Sequence, residues 1–262
     1  MIATSILGVL AILLNFVQSE GVRKVEIQFL ANVNRIEQVQ QAEPDEERIL
    51  AATVEIKMSY LPAGSKSVDD QLMAIGLGSL VRDGKKTLLI THNHWGEALR
   101  DMTVVTIYDV DHDVLKIMLG KEFKSLATYQ DAGTLVLEAP QELAGSPSAC
   151  GAKLGDSGQV ESGDLVWVVY HQTGNRTEIG LLEAEVESVR EYKGLPIFVL
   201  RSLGGLPVVG GDSGGGIWQD GQLVGNMWAT VTKPAASNAS VSSTQNQSVP
   251  QATDISYAAL LP

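Results

Sequence analysis

Five glycines flank one aspartate and one serine in Gly210-Gly211-Asp212-Ser213-Gly214-Gly215-Gly216. Glycine tolerates φ > 0 and close backbone approach, so such a run can present a hydroxyl on a sharp, uncovered turn. There the amides of Gly211 and Ser213 can converge on one point, the arrangement that stabilises the oxyanion of a tetrahedral intermediate. A flexible turn or a phosphate cradle is equally open to a glycine-rich serine loop taken alone, although the lysine that a P-loop places after its glycines is missing. A serine hydroxyl is a weak nucleophile, so it needs a base within hydrogen-bond reach and a group to orient that base. The chain has 4 histidines: His92, His94, His112 and His171. His92 and His94 lie where the apolar run Leu88-Leu89-Ile90 breaks into a polar turn, and Asp131 stands just before the apolar run Leu135-Val136-Leu137. The order along the chain is histidine, aspartate, serine.

Three segments carry a family resemblance. Thr91 to Trp95 resembles the histidine motif of the chymotrypsin-like serine proteases, Asp131 with Leu135 their aspartate motif, and Gly211 to Gly215 their serine motif. The histidine-aspartate-serine order is theirs, whereas subtilisins and α/β-hydrolases run differently. Within the family the chain is most similar to the HtrA-like branch, without a PDZ domain. Ile75 to Val81, Thr87 to His94, Gly163 to Val169 and Ile255 to Ala259 resemble strands of that branch, and the similarity spans residues 50–262. The resemblance implies a serine endopeptidase that needs no cofactor or metal and acts on protein or peptide substrates. In it Ser213 is the nucleophile, His94 the general base, Asp131 the group that orients the imidazole, and Gly211 and Ser213 the oxyanion-hole donors. His92 competes with His94 for the base, and His94 keeps the family's offset from Thr91. Pro207, six residues before the serine, would floor the specificity pocket, and Met227, Trp228 and Ala229 would wall it. Such a pocket is shallow and apolar and suits small or medium aliphatic side chains. Gly216 replaces the family's usual proline and Asn93 a small residue. These departures keep a second reading in view, an inactive protease fold used as a binding module.

The elements that must position these residues read as all-β. Short β-rich runs separated by turn residues begin at Thr53: Thr53 to Tyr60, Met73 to Val81, Thr87 to Thr91, Met102 to Tyr108, Val114 to Leu119 and the run after Asp131 form one set. Leu165 to His171, Glu178 to Val189, Ile197 to Arg201, Gly215 to Trp218, Gln222 to Thr232 and Ile255 to Ala259 form another. Two sets of this size suit two closed antiparallel six-stranded barrels. The resemblance adds the chymotrypsin arrangement, with the active site in the cleft between the barrels. Asp109, Asp111 and Asp113 alternate as in a calcium loop, but Val114 and Gly120 occupy the positions that require glycine and glutamate, so a solvated turn containing His112 is expected. His171 reads as the exit of its strand.

The 262 residues carry a net charge of -12 and are 44% apolar. That balance is globular and acidic, which argues against a nucleic-acid partner and against adhesion to anionic lipid. Cys150 is the single cysteine, so no intramolecular disulfide can form, unlike the disulfide-rich secreted animal proteases. Ile2 to Val17 is almost wholly apolar and short for a membrane span, and Val17-Gln18-Ser19 resembles a cleavage site. Residues 1–19 are therefore expected to be a signal peptide or, uncleaved, a membrane anchor through residues 2–18, placing the rest outside the cytoplasm. Residues 20–48 follow as a helical segment with apolar residues from Val22 to Val39 and an acidic linker; residues 49–262 are the protease-like domain. Arg48-Ile49 resembles a zymogen activation bond with Asp212 as receiver of the new N-terminus, although the glycines that normally follow are absent. Asn175, Asn238 and Asn246 head glycosylation triplets, and Pro234 to Thr253 reads as a long polar loop between the last two strands.

Overall fold

The computed structural model describes residues 46–65, 67–145, 152–172, 178–204, 211–233 and 251–261. The expected signal or anchor segment, the helical stripe, Cys150, Asn175, Pro207 and most of the 234–253 loop lie outside the described residues.

The first half holds seven strands: β1 (Thr53–Tyr60), β2 (Leu72–Asp83), β3 (Lys86–His92), β4 (Val104–Tyr108), β5 (Val114–Leu119), β6 (Ala127–Gln130) and β7 (Thr134–Glu138). Their hydrogen-bonded order is β5-β4-β1-β2-β3-β7-β6, open between β5 and β6. The first half is thus one strand richer than the expected six-stranded barrel. The added strand, β6, is an exposed edge lacking the apolar alternation that marks a strand in sequence. The second half does close with six antiparallel strands, β9 (Leu165–His171), β10 (Ile179–Tyr192), β11 (Leu195–Ser202), β14 (Gln251–Leu260), β13 (Gln222–Lys233) and β12 (Gly216–Gln219), because β12 pairs with both β9 and β13. A short strand, β8 (Lys153–Leu154), runs parallel to both β2 and β13 and joins the two halves into one sheet.

Side-chain alternation decides which faces are buried. On β10, Gly180, Leu182, Ala184 and Val186 point inward until a bulge between Val186 and Ser188 shifts the register. Each half has its own core. Ile56, Met58, Leu80, Val105, Ile107 and Phe123 belong to the first, and Val168, Val186, Phe198, Leu200, Ile217 and Met227 to the second. A third apolar cluster containing Leu77, Val81, Ile90, Val169 and Trp218 lies between them and welds the halves together. Ile49 belongs to the same cluster. The acidic linker therefore gives way to a helical turn, residues 46–51, in which the Ala52 amide donates to Arg48 O (3.0 Å) and the Thr53 hydroxyl to Ile49 O (2.9 Å).

Candidate active site

The glycine run folds as a tight turn clamped against both halves. The Gly215 amide donates to Asp212 O (2.9 Å), the Gly214 amide to Met227 O (2.8 Å), and the Met227 amide to Gly215 O (2.7 Å). From the first half, the Leu77 amide donates to Ser213 O (2.8 Å), while the Thr91 hydroxyl donates to Leu77 O (2.6 Å). Three positions require glycine, Gly215 among them because a Cβ there would lie 2.3 Å from Val169 O. Gly214 has φ 87°, and a Cβ there would lie 2.0 Å from Leu77 O. A Cβ on Gly216 would lie 2.2 Å from the Trp218 indole nitrogen and 2.6 Å from Ser79 Oγ, which explains why the family's proline is absent. Gly211, at φ 107°, starts the turn. Among the described residues, neither the Gly211 nor the Ser213 amide donates to a protein acceptor.

Strand β3 delivers the histidines. It ends at His92, and Asn93 turns the chain by donating its amide to Gly133 O (3.3 Å) and its side chain to Asp131 O (2.5 Å). His94 Nε2 then lies 3.0 Å from Ser213 Oγ. Partial burial of the His94 ring disfavours its charged form and lowers its pKa below the ordinary imidazole value, so the ring is a free base at neutral pH. His92, the other candidate base, is 3% exposed and packed between the rings of His94 and Trp95. Burial, and secondarily the neighbouring His94, push its pKa down to about 2.

Asp131 does not take the position the resemblance implied. Its Oδ1 accepts from the amides of Gly133 (2.8 Å) and Thr134 (2.7 Å), its Oδ2 from the Tyr129 hydroxyl (2.8 Å), and among the described residues no hydrogen bond joins it to His94. The physical reason is local: the residues after Asp131 turn back at once, the Asp131 amide donating to Thr134 O (3.0 Å), and the carboxylate caps this turn. Asn226 pins the turn from the second half, accepting from the Thr134 hydroxyl (2.8 Å) and donating to Gly133 O (3.2 Å).

Behind the serine lies a charge relay that sequence reasoning missed. Asp212, 0% exposed, accepts from the His171 amide (2.8 Å) and contacts His171 Nδ1 (2.9 Å). His171 Nε2 is 3.4 Å from Glu55 Oε1 on β1, and Glu55 Oε2 is 2.7 Å from Lys57 Nζ and 3.7 Å from His112 Nδ1. Burial alone would lower the His171 pKa, but the contacts with Asp212 and then Glu55 outweigh it and hold it up at about 9. Glu55 is likewise pushed up by burial and brought below its ordinary value by His171 and Lys57. At neutral pH a protonated His171 lies between the Asp212 and Glu55 side chains. His171 is thus the counterion of Asp212 as well as the end of β9. A glutamate inside the buried alternation of Thr53-Val54-Glu55-Ile56 was the mark that could have revealed the relay.

The pocket residues divide. Met227 is 1% exposed with its side chain in the second core, so at the nucleophile turn it contributes backbone. Partly buried Trp228 packs edge-on to Tyr192, ring centroids 5.8 Å apart, and Ala229 follows a bulge in β13.

No family model and no curated protein matches the chain. Solved structures do. The HtrA-type protease AlgW with a tripeptide superposes with TM-score 0.52 at 15% identity over 82% of this chain, and a variant of that protease with a decapeptide gives 0.53 at 14% over 81%. The chain covers 57% and 60% of the lengths of those two chains. The likeness establishes the fold: this is the all-β architecture of the HtrA-type proteases, with one closed six-stranded barrel and further strands outside it.

Proposed function

We propose that the chain is a serine endopeptidase in which Ser213 and His94 carry out acyl transfer on protein or peptide substrates. The observation that carries this reading is the 3.0 Å approach of His94 Nε2 to Ser213 Oγ, beside two amides that meet no acceptor among the described residues. Ser213 Oγ attacks the scissile carbonyl as its proton passes to His94 Nε2. The Gly211 and Ser213 amides bind the resulting oxyanion, and His94 returns the proton to the leaving amine. Water then repeats the sequence on the acyl-enzyme. The test is a fluorophosphonate probe with intact-mass readout. A single adduct on the wild type, absent from Ser213→Ala, is expected without any cut at Arg48-Ile49, because Asp212 already has its counterion in His171. No adduct on the folded wild type removes the proposal.

In this proposal Asp131 is a positioning residue. Its turn grips Asn93, and Asn93 places His94. Asp131→Asn keeps the Oδ1 acceptor for Gly133 and Thr134, so hydrolysis is expected to stay within about tenfold of wild type, against the ~10⁴-fold loss when a triad carboxylate holds the base. A steady-state rate for this variant on a peptide substrate decides between them. The same observation, a carboxylate engaged by its own turn, favours the second reading, a binding module with a silent site, which the missing adduct would support.

Substrate preference is proposed from Pro207 and Ala229: a shallow apolar pocket taking Ala, Val or Leu before the scissile bond. Cleavage of a peptide library chiefly after Arg or Lys would contradict it. Export, or anchoring through residues 2–18, completes the proposal; no helix among the described residues is long and apolar enough to cross a membrane. N-terminal sequencing of the exported protein tests it, and a product starting at Met1 inside the cytoplasm would refute it.

A further inference from the structure

We infer that His92 is the residue that orients the imidazole of His94, by ring stacking and a backbone hydrogen bond, in the place that the Asp131 carboxylate leaves unfilled. The inference deepens the Ser213–His94 reading and rests on it.

Four observations converge. The His92 and His94 ring centroids are 4.1 Å apart at an interplanar angle of 36°. On the same side chain, Trp95 lies 4.0 Å away at 33°, so His92 is held from more than one direction and cannot swing out. His92 Nδ1 accepts the His94 amide proton at 3.3 Å, which requires Nδ1 to be unprotonated and puts the single ring proton on Nε2. Space for this ring comes from Gly76 on β2, where a Cβ would sit 2.7 Å from His92 Nε2 and 2.7 Å from the Trp95 ring. The three aromatic residues and the glycine form one packed unit whose exposed member is His94.

The electrostatics suit the task. His94 becomes an imidazolium when it takes the Ser213 proton. A charged neighbour stacked on it would oppose that step, whereas a neutral ring covers one face of His94 without adding a like charge. Burial keeps His92 neutral, with its pKa at about 2. His92 Nε2 has no hydrogen-bond partner among the described residues, so the Nδ1 contact alone selects this tautomer.

The test compares His92→Ala, His92→Asn and His92→Phe in the full chain, each confirmed as folded by circular dichroism. The readouts are the fluorophosphonate labelling rate against pH and the ¹H–¹⁵N ring correlations of His94. His92→Ala and His92→Asn are expected to lower labelling about tenfold, the size of a lost aromatic pair, and to move the labelling midpoint up towards the ordinary imidazole pKa. His92→Phe restores the ring and is expected to recover most of that loss. An unchanged rate and midpoint in His92→Ala would overturn the inference, as would full activity in His92→Asn, which supplies an acceptor without a ring. If the wild type takes no label, the hydrolase reading fails, and the His94 ring shifts still decide the positioning role. A ring-current shift lost in the alanine and asparagine variants and kept in the phenylalanine variant supports it; identical shifts in all of them remove it.

Discussion

Replacing Ser213 or His94 with alanine is expected to lower kcat by about 10⁶-fold while leaving KM within a few-fold, and the double replacement is expected to be no worse than either single one. Non-additivity is the point of the measurement. The two side chains meet at 3.0 Å and share one proton, so removing either ends the same step. What remains in the variants is catalysis by the Gly211 and Ser213 amides and by binding alone. The pH profile of the wild type carries the same content. In the proposed mechanism hydrolysis requires His94 as free base, so the rate is expected to rise with pH through the His94 pKa, with a midpoint below the ordinary imidazole value because burial lowers that pKa. Peptide hydrolysis by the wild type and the three variants between pH 4 and 8 checks both statements. Losses that multiply in the double variant would show that the residues do not act as one unit.

The second large effect falls on stability. His171→Leu is expected to cost about 3–5 kcal/mol at pH 7, because Asp212 and Glu55 would then be buried carboxylates facing an apolar side chain. Pairing it with Asp212→Asn should recover a substantial part, since the uncompensated charge is removed; urea denaturation of the single and double variants measures the coupling. The pH dependence follows from the direction of the shift. A histidine whose folded pKa is raised contributes stability that is complete below its unfolded value, near 6.5, and is lost as pH climbs through the folded value of about 9. A difference of this size corresponds to roughly 3 kcal/mol between pH 6 and 10, which the His171→Leu variant should not show. Activity should fall with it, because Asp212 O holds the Gly215 amide and the serine sits between them. An alkaline stability curve as flat in the wild type as in the variant would sink this account.

How far the sequence reached can be judged from particular residues. Thr53–Tyr60, Val114–Leu119 and Leu165–His171 are strands with the bounds their β-rich composition and flanking turn residues suggest. Alternation and turn residues are local, so a reader of the sequence has the same information as the chain. The glycine turn was legible for the same reason: Gly211 and Gly214 adopt positive φ, and that freedom is written in the residue type. The two-residue β8 was not legible because its pairing comes from strands distant in sequence, and β6, which pairs with the adjacent β7, was not because its exposed residues lack apolar alternation.

At the site the division is sharper. Residue types and order alone determined that a serine, two histidines and an aspartate were available in an all-β chain. Only the tertiary structure decided which atoms meet. It set His94 against Ser213, turned the Asp131 carboxylate into its own turn, slid His92 beneath His94 through the gap at Gly76, and joined Asp212 to Glu55 through His171. Apart from the Asp131 turn, which is local, these outcomes depend on an approach of a few ångströms between segments distant in sequence, as in Gly76 beneath His92, 16 residues apart, and His94 beside Ser213, 119 apart. Periodicity and composition report which face of a strand is buried. They hold no record of the partner that comes to lie against it.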